Sequence, residues 1–286
     1  MKTIGVIANC GKARASNVLA LLDKKAAAFQ LELLADEATA KLLPSGEATS
    51  LGEMFDRVDA VMALGGDGTM LRVVRELDGL DKPVVGVNIG GLGFLTSVAE
   101  EQLDLLLECL ATDNFVTSSR TVAESVVIRN GKEVSRYHGL NEVLVSSGPS
   151  SRAVTLGVSI DGDHVTSYVC DGLIVSTPTG STGHSLSAGG PILRPETKAF
   201  VLSLICPHAL SSRPLVVPDS SEIAIVTTGS EGELFLTIDG QVGDPLEPGD
   251  CVNVKRSDRV VRVIHLPDYD YFAVLRNKLH WSGSSL

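Results

Sequence analysis

A chain of 286 residues, 44% hydrophobic and 21% charged, has the apolar content for one large or two ordinary cored domains and excludes a disordered chain. Its formal net charge of −11 and pI near 5.0 exclude nucleic acid or an anionic membrane as the main partner. Any anionic ligand must therefore be met by local N–H groups, Lys, Arg or a metal ion.

No apolar run approaches the length of a membrane span, and Met1-Lys2-Thr3-Ile4-Gly5-Val6 leads straight into a strand without the shape of a signal peptide. The five cysteines, Cys10, Cys109, Cys170, Cys206 and Cys251, are scattered and contain no C-x-x-C pair. Reduced thiols in a cytoplasmic protein are expected. Cys206-Pro207-His208 has no second ligand pair after it and reads as structural.

In chain order, Thr3 to Ala8 is an apolar strand, and Asn9-Cys10-Gly11-Lys12 turns it into a helix carrying Val18, Leu21, Leu22 and Ala26. Leu31 to Leu34 is a short strand, and 44–52 a loop by composition. Ala60 to Leu64 is a third strand, ending at Gly65-Gly66-Asp67-Gly68-Thr69. Helical spacing follows, with Leu71, Val74 and Leu77 on one face and Arg72, Arg75 and Glu76 charged. Val84 to Val87 is another strand, leading to Asn88-Ile89-Gly90-Gly91-Leu92-Gly93-Phe94. A helix from about Ala99 to Ala111 turns Leu103, Leu106, Leu107 and Leu110 inward. Alternating strands and helices predict an open, Rossmann-like α/β sheet whose ligand lies beyond the carboxyl ends of its strands.

The turn at 65–69 organises the chain. Its glycines permit φ > 0 and close approach to bare N–H groups at a helix N-terminus, a setting that favours phosphate. Asp67 opposes this, because a carboxylate about 4 Å from a phosphate costs roughly 4 kcal/mol at an effective dielectric of 20. It is tolerated if it shares a metal with the phosphate or takes a proton from the hydroxyl being phosphorylated. Asp67-Gly68 alone would suit a hairpin, but helical spacing after Thr69 leaves no second strand. The G-x-x-x-x-G-K-[ST] pattern is absent, and Gly90-Gly91-x-Gly93 falls short of a dinucleotide fingerprint.

From about Arg120 the texture becomes that of an all-β domain. Apolar strands recur at 143–145, 154–160, 173–176, 201–205, 215–217, 223–227, 234–238, 251–254 and 260–264. Hairpin signals lie at Asn130-Gly131, Asp161-Gly162, Asp239-Gly240 and Pro248-Gly249-Asp250. Residues 271–279 read as a terminal helix. The expected domains are 1–119, with 267–286 returning to it, and 120–266. Two places break the β pattern. Asn141-Glu142 precedes Val143-Leu144-Val145. Asp171 to Gly190 runs through Thr177-Pro178-Thr179-Gly180-Ser181-Thr182-Gly183-His184-Ser185-Leu186-Ser187, a hydroxyl- and glycine-rich loop with a short helix, suited to bonding bases, ribose and amides.

Together these stretches resemble the NAD kinases over nearly the whole chain. Gly65 to Thr69 resembles that family's GGDGT motif, Asn141-Glu142 its NE/D motif, and 171–190 its threonine-glycine loop, with 206–214 and Asp239-Gly240 fitting later blocks. GGDGT alone is shared with diacylglycerol and sphingosine kinases and phosphofructokinases. The resemblance implies an α/β domain plus a β domain, and phosphoryl transfer from ATP, or in some members polyphosphate, to the adenosine-ribose 2′-hydroxyl of NAD. It also implies Mg²⁺ and a homodimer or homotetramer.

By resemblance Asp67 is the catalytic carboxylate, and Gly65, Gly66, Gly68 and Thr69 hold phosphates. NAD would be met by Asp67, Gly68, Phe94, Asn141, Glu142, Asp171, Thr182, Gly183, His184, Ser187 and Gln241, with the backbone from Pro207 to Ala209 near the nicotinamide. No residue is assigned as a metal ligand. Gly183-His184 stands where the family often has Ala-Tyr, exchanging a phenol for a smaller, titratable ring. The rival readings are a lipid kinase, which would want an apolar or basic membrane-facing surface, and a nucleotide sensor without turnover.

Overall fold

The computed structural model describes residues 1–91, 93–148, 153–228 and 233–281. The chain divides into two compact units, Met1–Ser119 with Val261–Leu286, and Arg120–Val260. In the first, β1 (Thr3–Ala8), α1 (Ala15–Ala28), β2 (Glu32–Ala35), the single turn α2 (Glu37–Ala40), β3 (Glu47–Ala48) and α3 (Leu51–Arg57) lead to β4 (Ala60–Gly65). Then come α4 (Asp67–Leu77), β5 (Val84–Asn88), β6 (Val98–Ala99) and α5 (Leu103–Ala111). The stretch 44–52, expected to be loop, holds β3 and the start of α3, whose first turn is capped by Ser50 Oγ accepting from Glu53 N.

β1, β4 and β5 are apolar runs with almost no exposed residue, as strands covered on both faces must be. They pair in the order β3-β2-β1-β4-β5, parallel throughout. On one face α1 and α5 set Val18, Leu19, Leu22, Leu103, Leu106 and Leu107 against Ile4, Val6, Met62, Leu64 and Val87. On the other, α3 comes so close that a β-carbon at Gly5 would stand 3.2 Å from Met54 Sδ. The chain steps outward to β2 after β1 and to β5 after β4. The strand order therefore reverses between β1 and β4, and the loops following these two strands flank the crevice where such sheets take ligands.

The second unit is built from β7 (Val116–Arg129, entering from the first unit), β8 (Lys132–Gly139), β9 (Glu142–Ser147), β10 (Val154–Ile160), β11 (Asp163–Cys170) and β12 (Gly172–Ser176). After the short helix α6 (His184–Ser187) follow β13 (Ala199–Ile205), β14 (Leu215–Pro218), β15 (Ile223–Thr227), β16 (Leu234–Ile238), β17 (Val242–Leu246) and β18 (Cys251–His265). Six strands form one antiparallel sheet in the order β14-β13-β12-β9-β16-β17. Strands β11, β10, β15 and β18 pair antiparallel in another. Val143, Val175, Phe200 and Leu236 of the former share a core with Leu156, Val158, Ile225 and Val252 of the latter. Asn130-Gly131, Asp161-Gly162 and Asp239-Gly240 turn β7 into β8, β10 into β11 and β16 into β17. Both residues of each turn have φ between 51° and 88°, as two-residue turns matching the strand twist require. Pro248-Gly249-Asp250 is a turn but not a hairpin, since β17 and β18 belong to different sheets.

β18 is a single strand where two were expected, and its last residues return to the first unit, pairing Val263 with Val84. α7 (Tyr271–Leu279) follows, with Val274 and Leu275 buried and Lys278 Nζ 5.6 Å from the centre of the Phe94 ring. Among the described residues no helix is long and apolar enough to cross a membrane.

Candidate functional site

In the first unit the motif glycines work by leaving room. β4 runs to Gly65, Gly66 caps the helix in an extended conformation (φ −143°), and Asp67 is already the first residue of α4. The helix thus begins inside the motif rather than after Thr69, and none of Gly65, Gly66 and Gly68 has positive φ. The left-handed backbone expected of them is unnecessary because an extended residue suffices to turn the strand into the helix. A β-carbon at Gly65 would instead run into the hydroxyl of Thr69. Thr69 is buried, and its Oγ1 accepts from Gly66 N at 3.5 Å; Gly68 is exposed. The buried face of α4 includes Met70, Leu71, Val73 and Leu77, with Val74 only half-buried.

Asp67 reaches across to the loop after β5. Its Oδ2 accepts from Phe94 N at 2.8 Å, and its Oδ1 from Leu95 N at 3.0 Å, Thr96 N at 3.1 Å and Thr96 Oγ1 at 3.2 Å. Gly93 makes this possible, because a β-carbon there would overlap the carboxylate, 2.7 Å from Asp67 Cγ. Asp67 and Phe94 are therefore brought together, as the sequence comparison with known motifs implied, but by a backbone clamp it did not foresee. A second residue was missed. Lys12, after β1, donates from Nζ to Gly65 O at 3.2 Å and to Ile89 O at 3.4 Å. The signal was the parallel strand order itself, which sets the loop after the first strand beside the glycine turn.

In the second unit another carboxylate performs a similar clamp. Asp239, in the β16–β17 turn, accepts from Leu140 N at 2.8 Å through Oδ2, and from Asn141 N at 2.7 Å and Glu142 N at 3.0 Å through Oδ1. Sequence reasoning saw a hairpin turn and a block of the family pattern here, but not the clamp. Glu142 is 6% exposed, yet its Oε2 has no hydrogen-bond partner, and neither has Asn141 Oδ1. Burial, and secondarily the Asp239 charge, push the Glu142 carboxyl up to about 7. Both side chains face the 180–183 turn, since a β-carbon at Gly183 would stand 3.7 Å from Asn141 Nδ2 and from Glu142 Oε2. Gly180 packs so tightly on Asn141 that a β-carbon would lie 2.5 Å from its carbonyl carbon.

The hydroxyls of the loop are mostly spent within the unit. Thr177 Oγ1 donates to Leu140 O (2.6 Å), Ser181 Oγ to Pro178 O (2.6 Å), and Ser185 Oγ meets Ser203 Oγ (3.0 Å), all three residues being buried. The expectation that these hydroxyls bond a ligand is thereby narrowed: Thr182 is half-buried, and His184 and Ser187 are exposed. Gln241 is exposed just past the Asp239-Gly240 turn. Asp171 is not brought to this group. It precedes β12 while the loop follows it, a separation of roughly 16 Å along a five-residue strand. Pro207, His208 and Ala209 line a separate groove of about 660 Å³ with Val165, Tyr168 and Val169 of β11.

An α/β sheet with a carboxylate-bearing glycine turn at its strand-order reversal, joined to a β-sandwich unit with unsatisfied polar side chains, defines a nucleotide-handling phosphotransferase architecture. The comparisons give the family. Residues 4–115 match the ATP-NAD kinase N-terminal domain and residues 140–266 the ATP-NAD kinase C-terminal domain. A protein named NAD kinase from Syntrophotalea carbinolica is 40% identical over 282 residues, covering 98% of this chain and 99% of the relative. Another, from Gemmatimonas aurantiaca, is 40% identical over 283 residues, covering 99% and 97%. Among solved structures, yeast NADH kinase complexed with NADH superposes with a TM-score of 0.91 at 23% identity, covering 100% of this chain and 89% of that one. An NAD kinase from Archaeoglobus fulgidus in complex with ATP gives 0.76 at 23%, covering 99% and 100%. The chain belongs to the NAD kinase family.

Proposed function

We propose that the protein transfers the γ-phosphoryl group of ATP to the 2′-hydroxyl of the adenosine ribose of NAD, forming NADP and ADP. Family membership supports the reaction, and Asp67 at the N-terminus of α4 is the observation that carries the mechanism. The ribose oxygen attacks the γ-phosphorus, the bond to the β-phosphate oxygen breaks, and the hydroxyl proton passes to Asp67. A base must come within about 3 Å of that hydroxyl. In the present arrangement Asp67 accepts four hydrogen bonds, so one oxygen exchanges a Phe94–Thr96 donor for the incoming hydroxyl. Gly66, Gly68 and the first turn of α4 direct N–H groups and the positive end of the helix at the donor's phosphates.

Asn141 and Glu142, with their unsatisfied oxygens, meet the adenosine, the carboxyl accepting from ribose. Thr182, Gly183, His184 and Ser187 complete that wall, and Asp171 and the 207–209 backbone serve the nicotinamide end. Among the described residues no group of three or more His, Cys, Asp or Glu side chains gathers to hold a metal. In this reading Mg²⁺ arrives on the triphosphate, where it would neutralise charge, with Asp67 as the carboxylate at hand. Five free cysteines suit a reducing, cytoplasmic setting. Exposed Val165, Val169, Leu215 and Val216 on the edge strands β11 and β14 suit a homo-oligomer.

A coupled assay tests the reaction: NAD, ATP and Mg²⁺, with product read by a dehydrogenase that uses only NADP. Turnover is expected. Binding of NAD without turnover would make the protein a sensor, and phosphorylation of a lipid with no signal from NAD or NADH would make it a lipid kinase.

A further inference from the structure

Lys12 is a half-buried cation without a counter-ion. Its Nζ bonds only the carbonyls of Gly65 and Ile89, and among the described residues no carboxylate lies within ion-pair distance of it. The neighbouring cations differ: Arg14 is paired with Glu100 at 2.8 Å and Arg72 with Asp36 at 3.1 Å. Lys82 likewise bonds a carbonyl, that of Val58, but Lys12 differs in standing between two glycine-rich turns, where its charge can meet an anion.

Its position says which anion. Lys12 follows β1 and the glycine turn follows β4, the two strands between which the sheet order reverses. The ammonium spans both glycine-rich turns: a β-carbon at Gly66 would stand 3.6 Å from Nζ, and one at Gly90 3.3 Å. Besides Lys12 itself, a β-carbon at Gly66 would meet no other atom within 4 Å, and one at Gly90 only the Asn88 side chain, so the glycines keep the space over the ammonium clear. A second observation marks the same place as built for a guest. Asn88, 4% exposed at the end of β5, donates from Nδ2 to Thr96 Oγ1, but its Oδ1 has no partner and would lie 3.7 Å from a Gly90 β-carbon.

We infer that Lys12 holds the phosphate chain of the phosphoryl donor over the 65–68 and 89–91 turns, supplying the positive charge that the glycine motif lacks. A lysine ammonium is a compact charge with three donors, so two carbonyl bonds leave one N–H for a phosphate oxygen. This rests on the proposed phosphotransfer. Lys12 contacts the donor and has no part in taking the ribose proton.

Steady-state kinetics of wild type, Lys12→Met and Lys12→Arg provide the test, with thermal unfolding in inorganic tripolyphosphate as a readout independent of turnover. Lys12→Met is expected to raise KM for ATP about tenfold or more while KM for NAD stays within about twofold, and Lys12→Arg to recover most of the loss. Tripolyphosphate should raise the unfolding midpoint of the wild type and not of Lys12→Met. If Lys12→Met does not fold, Lys12→Gln is read the same way. An unchanged KM for ATP would overturn the inference. So would an equal rise in both KM values with a lowered midpoint, which would leave Lys12 as a tie between two loops. A wild type that binds tripolyphosphate through Lys12 but does not phosphorylate NAD would sink the proposed reaction and leave the anion site standing.

Discussion

Asp67 in the α/β unit and Asp239 in the β unit each gather three consecutive backbone N–H groups from a distant loop, at 2.8–3.1 Å and 2.7–3.0 Å respectively. The geometry is nearly the same, but the surroundings are not. Asp67 sits at a helix N-terminus, one residue after Gly66, whose β-carbon position lies 3.6 Å from Lys12 Nζ, and in the proposed reaction a hydroxyl displaces one of its backbone donors. Asp239 sits in a hairpin turn, behind the segment it holds, and its three bonds fix where Asn141 and Glu142 stand. On the proposed mechanism the same clamp serves chemistry in one unit and placement in the other.

The largest effect should come from Asp67→Asn, which is expected to lower kcat roughly 10²–10⁴-fold with NAD binding retained. Near-normal turnover would reduce Asp67 to a second Asp239. Asp239→Asn should cost about 3 kcal/mol of stability in urea unfolding, since charge-assisted bonds to buried amides are lost. It should also raise KM for NAD about tenfold with kcat nearly kept. A loss confined to kcat would erase the distinction between the two clamps.

Glu142→Gln sharpens the comparison through pH. With its folded pKa raised to about 7 from 4.5, Glu142 keeps its proton in the folded protein while the unfolded chain loses it. The resulting stability is present below pH 4.5 and is lost as pH rises to 7, by up to roughly 3 kcal/mol. Relative to wild type, the Gln variant should therefore gain stability between pH 5 and pH 8, and parallel curves would show that Glu142 is ionised when folded. The smallest effect belongs to Lys278→Ala, which removes the cation over Phe94 and should cost about 0.5 kcal/mol by thermal unfolding, with Lys278→Arg retaining it.

Much of the fold was legible because local rules decide it. The apolar runs of β1, β4 and β5 could only be covered strands, and Asn130-Gly131, Asp161-Gly162 and Asp239-Gly240 carry the residues that positive φ demands. Of the strands that escaped notice, β7 did carry an apolar signal, in Val122, Val126 and Val127, but others did not. β8 is exposed at four of its eight residues and β11 at five of eight, and β17 contains a proline. β18 was divided because Lys255, Arg256, Asp258 and Arg259 interrupt its hydrophobicity while its backbone continues. In the site, Asp67, Asn141 and Glu142 stood out by residue type. The clamps did not, because Asp67 and Phe94 are 27 residues apart and Asp239 and Asn141 are 98 apart. Lys12 lies 53 residues before Gly65, and only the order of strands joins them.

The self-satisfied hydroxyls of the 176–187 loop set the thermodynamic character of the binding proposed there. Holding a backbone residue in one conformation costs about 1–2 kcal/mol of entropy. Thr177, Ser181 and Ser185 have already imposed that cost during folding, so an arriving cosubstrate finds a rigid wall rather than a chain to be ordered. Affinity at this wall is then governed by shape and by the few groups that face outward. A change at His184 should accordingly alter selectivity among dinucleotides while leaving the architecture untouched.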